Sequence, residues 1–127
     1  DSSAYKSADD IMPAMDLIVS QFSTIGINAI YQRKPVIEYM IDPVLERLEK
    51  QTGRRYWPPA KCGAALTATM FDVLLLAVME LSDSETETAV LLKKQQEKYY
   101  PVQKGGAAKR VVSVLERLVA EKAAVKV

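Results

Sequence analysis

An apolar stretch near the middle of the chain constrains the fold more than any other feature of the sequence. Residues 64–81 read AALTATMFDVLLLAVMEL and are apolar on nearly every face of a helix. Such a segment is either buried in a core or spans a membrane. Asp72 lies at its centre, and a charged side chain in the middle of a bilayer costs roughly 3 kcal/mol or more. We therefore expect residues 64–81 to form a buried central helix.

Apolar residues recur at helical spacing in most of the remaining chain. The other segments expected to be helical are 11–24, 35–50 with a kink at Pro43, 84–100 after a capping box at Ser82 and Glu85, and 107–124. Gly26 is expected to end the first of them, and Pro58 and Pro59 exclude regular helix from residues 52–62. Gly, Pro and aromatic residues are too few for a β-sandwich.

The sequence thus predicts an all-α protein in one domain, residues 1–127. Its expected architecture is a four- to five-helix bundle, with a short N-terminal helical arm at 1–10 and an Arg/Trp/Pro loop at 52–62. The last helix is expected to turn Val111 and Leu118 inward.

The residue types needed for catalysis are scarce. The chain has no His, which is the commonest general base near neutral pH and the commonest metal ligand. The single Cys62 can form neither an internal disulfide nor a zinc-binding pair. We find no Gly-rich phosphate loop, nucleophile elbow or metal-ligand spacing. The sequence therefore predicts no catalytic residue, no metal, no cofactor and no enzyme activity.

Positive charges are unevenly distributed although the net charge is only +1. One group contains Arg33, Lys34, Arg47, Lys50, Arg54, Arg55 and Lys61, and a second is the lysine-rich run at 93–110. Cations spread along a bundle suit phosphate contacts that do not read sequence. The alternative is that they form ordinary solvated faces.

The segment Phe22–Gln32, FSTIGINAIYQ, resembles the major coat proteins of rod-shaped and filamentous archaeal viruses. That family has an apolar helix ending in an aromatic residue, a Gly-Ile turn, an Asn, then Ala-Ile-Tyr-Gln, and a later helix with an Arg-Leu pair. Here the pair would be Arg47-Leu48, and the resemblance covers residues 10–50. It implies two subunits, identical or paralogous, that clasp A-form double-stranded DNA inside a helical virion.

Family members carry a longer basic N-terminal arm, whereas residues 1–10 here are acidic and contain only Lys6. The resemblance therefore assigns DNA contact to the connector after the first helix, the 54–61 loop and the later cations. The predicted DNA-binding residues are Gln32, Arg33, Lys34, Arg47, Lys50, Arg54, Arg55, Lys61, Lys104, Lys109 and Arg110.

The predicted function is that of a structural capsid protein, located in the virion, which forms a filament around double-stranded DNA and has no membrane span. Its expected partners are that DNA and a second coat subunit, either its own copy or a paralogue. Two alternatives remain at this point. One is a non-enzymatic helical-bundle adaptor or subunit of a larger complex without nucleic acid. The other is a small membrane-associated subunit that uses residues 63–81.

Overall fold

Three parallel strands, and not a helical bundle, form the centre of the computed structural model, which describes residues 7–102 and 106–125. The strands are β1 (Ile18–Ser20), β2 (Val36–Tyr39) and β3 (Leu66–Ala68), in the spatial order β1-β2-β3. The helices are α1 (Ala8–Ile11), α2 (Thr24–Tyr31), α3 (Asp42–Thr52), α4 (Pro58–Lys61), α5 (Phe71–Leu81), α6 (Glu87–Tyr99) and α7 (Ala107–Val125). The protein is therefore α/β, and the prediction of an all-α bundle is wrong. Residues 1–6 of the predicted arm lie outside the described residues.

The predicted helix at 11–24 is wrong because its second half is a strand. After α1, a 3-10 turn at Met12–Ala14 contains Pro13, and β1 then begins at Ile18. Ile18 is buried whereas Val19 is 47% exposed, which is the alternation of a strand that lies at the edge of a sheet. An apolar run this short fits a strand or a helix equally well by periodicity, and its β-branched residues favour the strand.

The predicted helix at 35–50 is two elements. Val36 and Ile37 begin β2, which pairs with strands on both sides and is buried on both faces. Pro43 does not kink a helix; it lies in the first turn of α3, where its missing N–H leaves no hydrogen bond unmade. α3 ends at Gly53, which has a φ of 75°.

The apolar stretch at 64–81 is also divided, into β3 and α5. α5 buries only its inner side, through Ala77 and Leu81, while Leu76 is 62% and Met79 71% exposed. Asp72 is an exposed residue in the first turn of α5, where the helix dipole favours an acid. The prediction of a buried central helix is therefore wrong. Within the described ranges, none of the helices is both long enough and apolar enough to cross a membrane.

The sheet separates two layers of helices. Val36 faces α2 and packs with Ile18 and Ile30, and Ile37 on the opposite face packs with Leu81 and Leu92 of α5 and α6. Because successive side chains of a strand point to opposite faces, β2 contributes to both cores. The face towards α2 is the one that also carries Glu38, two residues beyond Val36.

The two C-terminal helices lie close to their predicted positions. α6 begins at Glu87, and its N-cap is Thr86, whose hydroxyl accepts a hydrogen bond from the Ala89 N–H at 3.1 Å. The predicted capping box is wrong, because the Ser82 hydroxyl donates back to the carbonyl of Val78 at 2.6 Å. The helix predicted at 107–124 is confirmed as α7. Its apolar side chains do not point into a core, however, since all its described side chains are exposed.

Candidate functional site

The carboxyl ends of β1 and β2 bring together residues that are far apart in the sequence. Ser20 ends β1, and its register partner in β2 is Glu38. The chain passes from Ser20 through a short loop into α2, and from β2 into α3. Ligands of parallel α/β sheets bind at this edge, beyond the carboxyl ends of the strands. We call Ser20–Gly26 together with Glu38, Arg47 and Trp57 the carboxyl-edge site.

The loop between β1 and α2 is held in a strained conformation at Phe22. Its φ of 40 is in the left-handed region, which is unfavourable for a bulky side chain. Its N–H donates to Oε2 of Glu38 at 2.9 Å. Its ring meets the Trp57 ring edge to face, with 6.2 Å between centroids. The guanidinium carbon of Arg47 lies 5.3 Å from the centroid of the same ring. Backbone and ring contacts therefore fix this loop from both sides.

The start of α2 is a favourable place for an anion. Ser23 is the N-cap, and its hydroxyl accepts a hydrogen bond from the Ile25 N–H at 3.3 Å. The Gly26 N–H donates to the Ser23 carbonyl at 3.1 Å. The aligned peptide dipoles of the helix give its N-terminus a partial positive charge. No acidic residue lies in the first turn, and the side chain of Thr24 is exposed. The positive end of α2 and its two hydroxyls therefore directly follow Phe22, the loop residue whose ring Arg47 contacts.

Polar atoms without partners are concentrated at this site. In the described part of the chain, the buried side-chain nitrogen and oxygen atoms without a hydrogen-bond partner are Ser20 Oγ, Glu38 Oε1 and Trp57 Nε1. Glu38 is 0% exposed, and burial raises the pKa of its carboxyl group, although the Phe22 N–H and the neighbouring Ser20 hydroxyl oppose the shift. Buried polar groups without partners are uncommon and frequently mark functional positions.

Gly26 lies in the first turn of α2 and does not end a helix as expected. A Cβ at this position would be 2.9 Å from Glu38 Oε1 and 3.2 Å from Ser20 Oγ. The helix can therefore approach the carboxyl group of Glu38 only because residue 26 has no side chain.

The predicted DNA-binding residues are not gathered on one surface. Arg33 and Lys34 precede the amino end of β2, whereas Arg47 follows its carboxyl end. The Arg33 guanidinium donates to the carbonyls of Ile30 at 3.2 Å, Gln96 at 3.0 Å and Tyr100 at 2.8 Å. It joins the C-terminal ends of α2 and α6, so its role in the fold is structural.

The remaining predicted contacts are scattered. Lys34 Nζ donates to the carbonyl of Pro13 at 3.1 Å, and Gln32 is the exposed C-cap of α2. Lys109 and Arg110 are exposed in the first turn of α7, and Lys104 lies outside the described residues.

One group of cations does come together, around Tyr56. Arg54 donates to the Tyr56 hydroxyl at 3.2 Å, and this hydrogen bond lowers the pKa of Tyr56. Lys61 Nζ lies 4.0 Å from the centroid of the same ring. Arg55 instead pairs with Glu49 at 2.9 Å, and Lys50 is exposed in the last turn of α3. Contact of these residues with DNA stays a prediction.

A cavity of about 540 Å³ lies at the opposite, amino edge of the sheet, where Lys34 and Leu17 contribute to its lining. The Arg33 and Gln96 side chains that also line it are already hydrogen-bonded within the protein, Gln96 to the carbonyls of Lys34 at 2.8 Å and Ala64 at 3.2 Å. Because Arg33 and Gln96 are committed to hydrogen bonds that hold the fold together, we assign the functional site to the carboxyl edge and not to this cavity.

Sequence reasoning missed Ser20, Ser23 and Glu38. The available signals were a hydroxyl residue directly after the Ile-Val pair of β1 and an acid inside the apolar run VIEYM. Both signals depend on recognising the strands, which the helical interpretation of these segments prevented.

Comparison with known proteins identifies one family. Residues 1–117 match the family described as CDP-Glycerol:Poly(glycerophosphate) glycerophosphotransferase. No curated protein and no solved structure matches the chain significantly. The match overturns the resemblance to archaeal viral coat proteins, so the predicted capsid function, helical DNA filament and virion location are wrong. A non-enzymatic adaptor does not agree with it either, and the prediction of no enzyme activity conflicts with a family of transferases.

Proposed function

Because this chain belongs to the CDP-glycerol:poly(glycerophosphate) glycerophosphotransferase family, we propose that its carboxyl-edge site binds the diphosphate of CDP-glycerol. The bound donor then delivers glycerophosphate to a poly(glycerophosphate) acceptor. The family description names the donor and the acceptor, and the parallel sheet supports the choice of its carboxyl edge, because ligands of parallel α/β sheets bind there.

The chemistry of this transfer requires stabilisation of negative charge. The acceptor hydroxyl attacks the phosphorus atom that carries glycerol, and the phosphoanhydride bond to the cytidine phosphate breaks. The new bond is a phosphodiester, CMP leaves with the electron pair, and the acceptor hydroxyl releases its proton. Charge grows on the departing phosphate, and preorganised N–H donors and cations stabilise it.

The observation that carries the proposal is the start of α2, described above. The positive end of its helix dipole, the hydroxyls of Ser23 and Thr24, and the absence of an acid in the first turn favour a phosphate there. Arg47 is the cation at the same edge, next to Phe22. A guanidinium suits this purpose because its fork of N–H donors matches phosphate geometry.

Calorimetric titration of the whole chain with CDP-glycerol tests this proposal. The Arg47→Ala variant should bind about tenfold or more weakly, as expected for loss of a charge-assisted hydrogen bond. Lys50→Ala is the matched control, since it removes an exposed cation from the last turn of the same helix. Its affinity should equal that of the wild type.

Competition experiments define which part of the donor is recognised. CMP and glycerol 3-phosphate should each compete with CDP-glycerol, and cytidine, which has no phosphate, should compete far less. No binding of CDP-glycerol at millimolar concentration would contradict the proposal. Equal losses in Arg47→Ala and Lys50→Ala would contradict the assignment of the site.

A further inference from the structure

Glu38 occupies a position where an acid is costly. It lies in the central strand and is 0% exposed, and its neighbours Val36 and Ile37 are apolar and equally buried. Strands of parallel sheets are covered on both faces and are normally apolar throughout. A buried carboxyl group loses its hydration and regains little if part of it has no partner. An apolar side chain of similar size would satisfy the packing at this position, so packing alone does not account for Glu38.

One carboxyl oxygen of Glu38 holds the loop between β1 and α2. Oε2 accepts the Phe22 N–H at 2.9 Å, across sixteen residues of sequence. Phe22 is also the residue with φ 40, and backbone strain of this kind persists only when surrounding contacts enforce it. The bond from Phe22 to Glu38 is such a contact, and it acts directly on the strained residue.

The other carboxyl oxygen contacts the start of α2. If residue 26 had a Cβ, that atom would be 2.9 Å from Glu38 Oε1 and 3.2 Å from Ser20 Oγ. Oε1 therefore lies close against the backbone of Gly26, beside the Ser20 hydroxyl. The carboxyl group therefore fills the space between β1, the loop and the first turn of α2. Both its oxygens are enclosed by protein, so Glu38 does not itself reach a ligand.

We propose that Glu38 is a positioning residue, which holds the loop and the first turn of α2 in the conformation that receives the donor phosphate. This inference rests on the proposed function for the identity of the ligand, and on the contacts of Phe22 and Gly26 for the role. Glu38 acts through the N-terminus of α2, where Ser23 and Thr24 lie.

Two substitutions separate positioning from simple packing. Glu38→Gln keeps an oxygen acceptor for the Phe22 N–H, and its amide can donate to Ser20 Oγ. Glu38→Leu has a similar volume but leaves that N–H without an acceptor. The control is Gln96→Leu, which removes a second buried polar side chain, at the amino edge, where it bonds the carbonyls of Lys34 and Ala64. All variants are made in the whole chain.

The first measurement is affinity for CDP-glycerol, with thermal unfolding recorded for the same samples. Glu38→Leu should remain folded and bind about tenfold or more weakly, since a hydrogen bond that positions the site is lost. Glu38→Gln should restore the wild-type affinity. Gln96→Leu should lower the unfolding temperature without changing the affinity of the folded protein. Wild-type affinity in Glu38→Leu, or equal loss in Gln96→Leu, would overturn the proposal.

The second measurement needs no ligand. Hydrogen exchange of the Phe22 amide, followed by nuclear magnetic resonance, should be slow in the wild type and in Glu38→Gln and at least tenfold faster in Glu38→Leu. A Phe22 amide that stays protected in Glu38→Leu overturns the positioning role whether or not the donor binds. Failure of the wild type to bind CDP-glycerol would instead overturn the proposed function, so the two failures are distinguishable.

Discussion

Replacement of Gly26 by alanine tests the packing on which the carboxyl-edge site depends. In most helices this substitution stabilises the protein by up to about 1 kcal/mol, because glycine has the poorer helix propensity. Here the added Cβ would be 2.9 Å from Glu38 Oε1 and 3.2 Å from Ser20 Oγ, so at least one of these side chains must move. The expected effect therefore has the opposite sign to that in an ordinary helix.

The magnitude follows from two costs and one gain. Overpacking a buried site costs about 1–3 kcal/mol. Movement of the carboxyl group also weakens the bond from the Phe22 N–H, and a buried donor without a partner costs about 1–3 kcal/mol. After subtraction of a helix-propensity gain of about 1 kcal/mol, Gly26→Ala should destabilise the protein by about 1–5 kcal/mol. For a chain of this size, at about 4 °C per kcal/mol, that lowers the unfolding temperature by about 4–20 °C.

Urea unfolding followed by circular dichroism measures the effect, with Gly53→Ala as the control. Gly53 ends α3 with φ 75 and has no atom within 4 Å of an added Cβ, so its cost of about 1 kcal/mol is conformational only. Gly26→Ala should also cost less in a Glu38→Ala background, where the nearest obstructing atom is gone. The reasoning is refuted if Gly26→Ala is neutral or stabilising, or if the two substitutions are additive.

Three further predictions concern residues already described. Gln96→Leu leaves the carbonyls of Lys34 and Ala64 without their donor and should lower the free energy of unfolding, measured in urea, by about 2–4 kcal/mol. A decrease of less than about 1 kcal/mol would contradict these two hydrogen bonds. Arg33→Lys keeps the charge but cannot bridge the ends of α2 and α6 in the same way, so it should lower the free energy of unfolding by about 1–3 kcal/mol. The affinity for CDP-glycerol should not change, and weakened binding would indicate that Arg33 contacts the ligand directly. Burial raises the pKa of the Glu38 carboxyl group, so the folded state holds this proton more strongly than the unfolded state does. The stabilisation of the fold by protonated Glu38 is complete below pH 4.5, and it is lost as the pH rises through the folded-state pKa. Relative to Glu38→Gln, which cannot titrate, the wild type should therefore lose stability from pH 4.5 upwards, and a pH-independent difference between the two would show that Glu38 is not shifted.

Long amphipathic segments were predictable from the sequence, and short buried strands were not. α7 and most of α6 were located correctly because their periodicity extends over many residues. β1 and β2 are three and four residues long and lie next to apolar helical segments. β2 is buried on both faces, so it has no alternating pattern to distinguish it from a piece of buried helix, and the three residues of β1 are too few for their alternation to be recognised. Both strands were consequently absorbed into predicted helices.

The site could not be predicted for the same physical reason. Ser20 and Glu38 are eighteen positions apart in the numbering, and only the parallel register of β1 and β2 makes them neighbours. An all-α interpretation gives no such register, so the two polar residues had no common location. Arg47 was predicted to contact DNA from its charge and from the resemblance that included the Arg47-Leu48 pair, and the structure brings it to the carboxyl edge, next to Phe22.

The mistaken resemblance shows which residues of a helix identify function. The segment that suggested a viral coat protein ends in Ala29-Ile30-Tyr31-Gln32, at the end of α2. Ala29 and Ile30 are fully buried under the sheet, and the Tyr31 ring packs edge to face on Tyr100. Any helix that covers an apolar surface needs residues of these types, so unrelated folds reach the same short string. The surroundings of the start of α2 differ, because packing requires neither the acid Glu38 in a buried strand nor the strained Phe22 in the loop before the helix. Residues that packing disfavours, and that are nonetheless held in place by specific contacts, are the better evidence for a binding site.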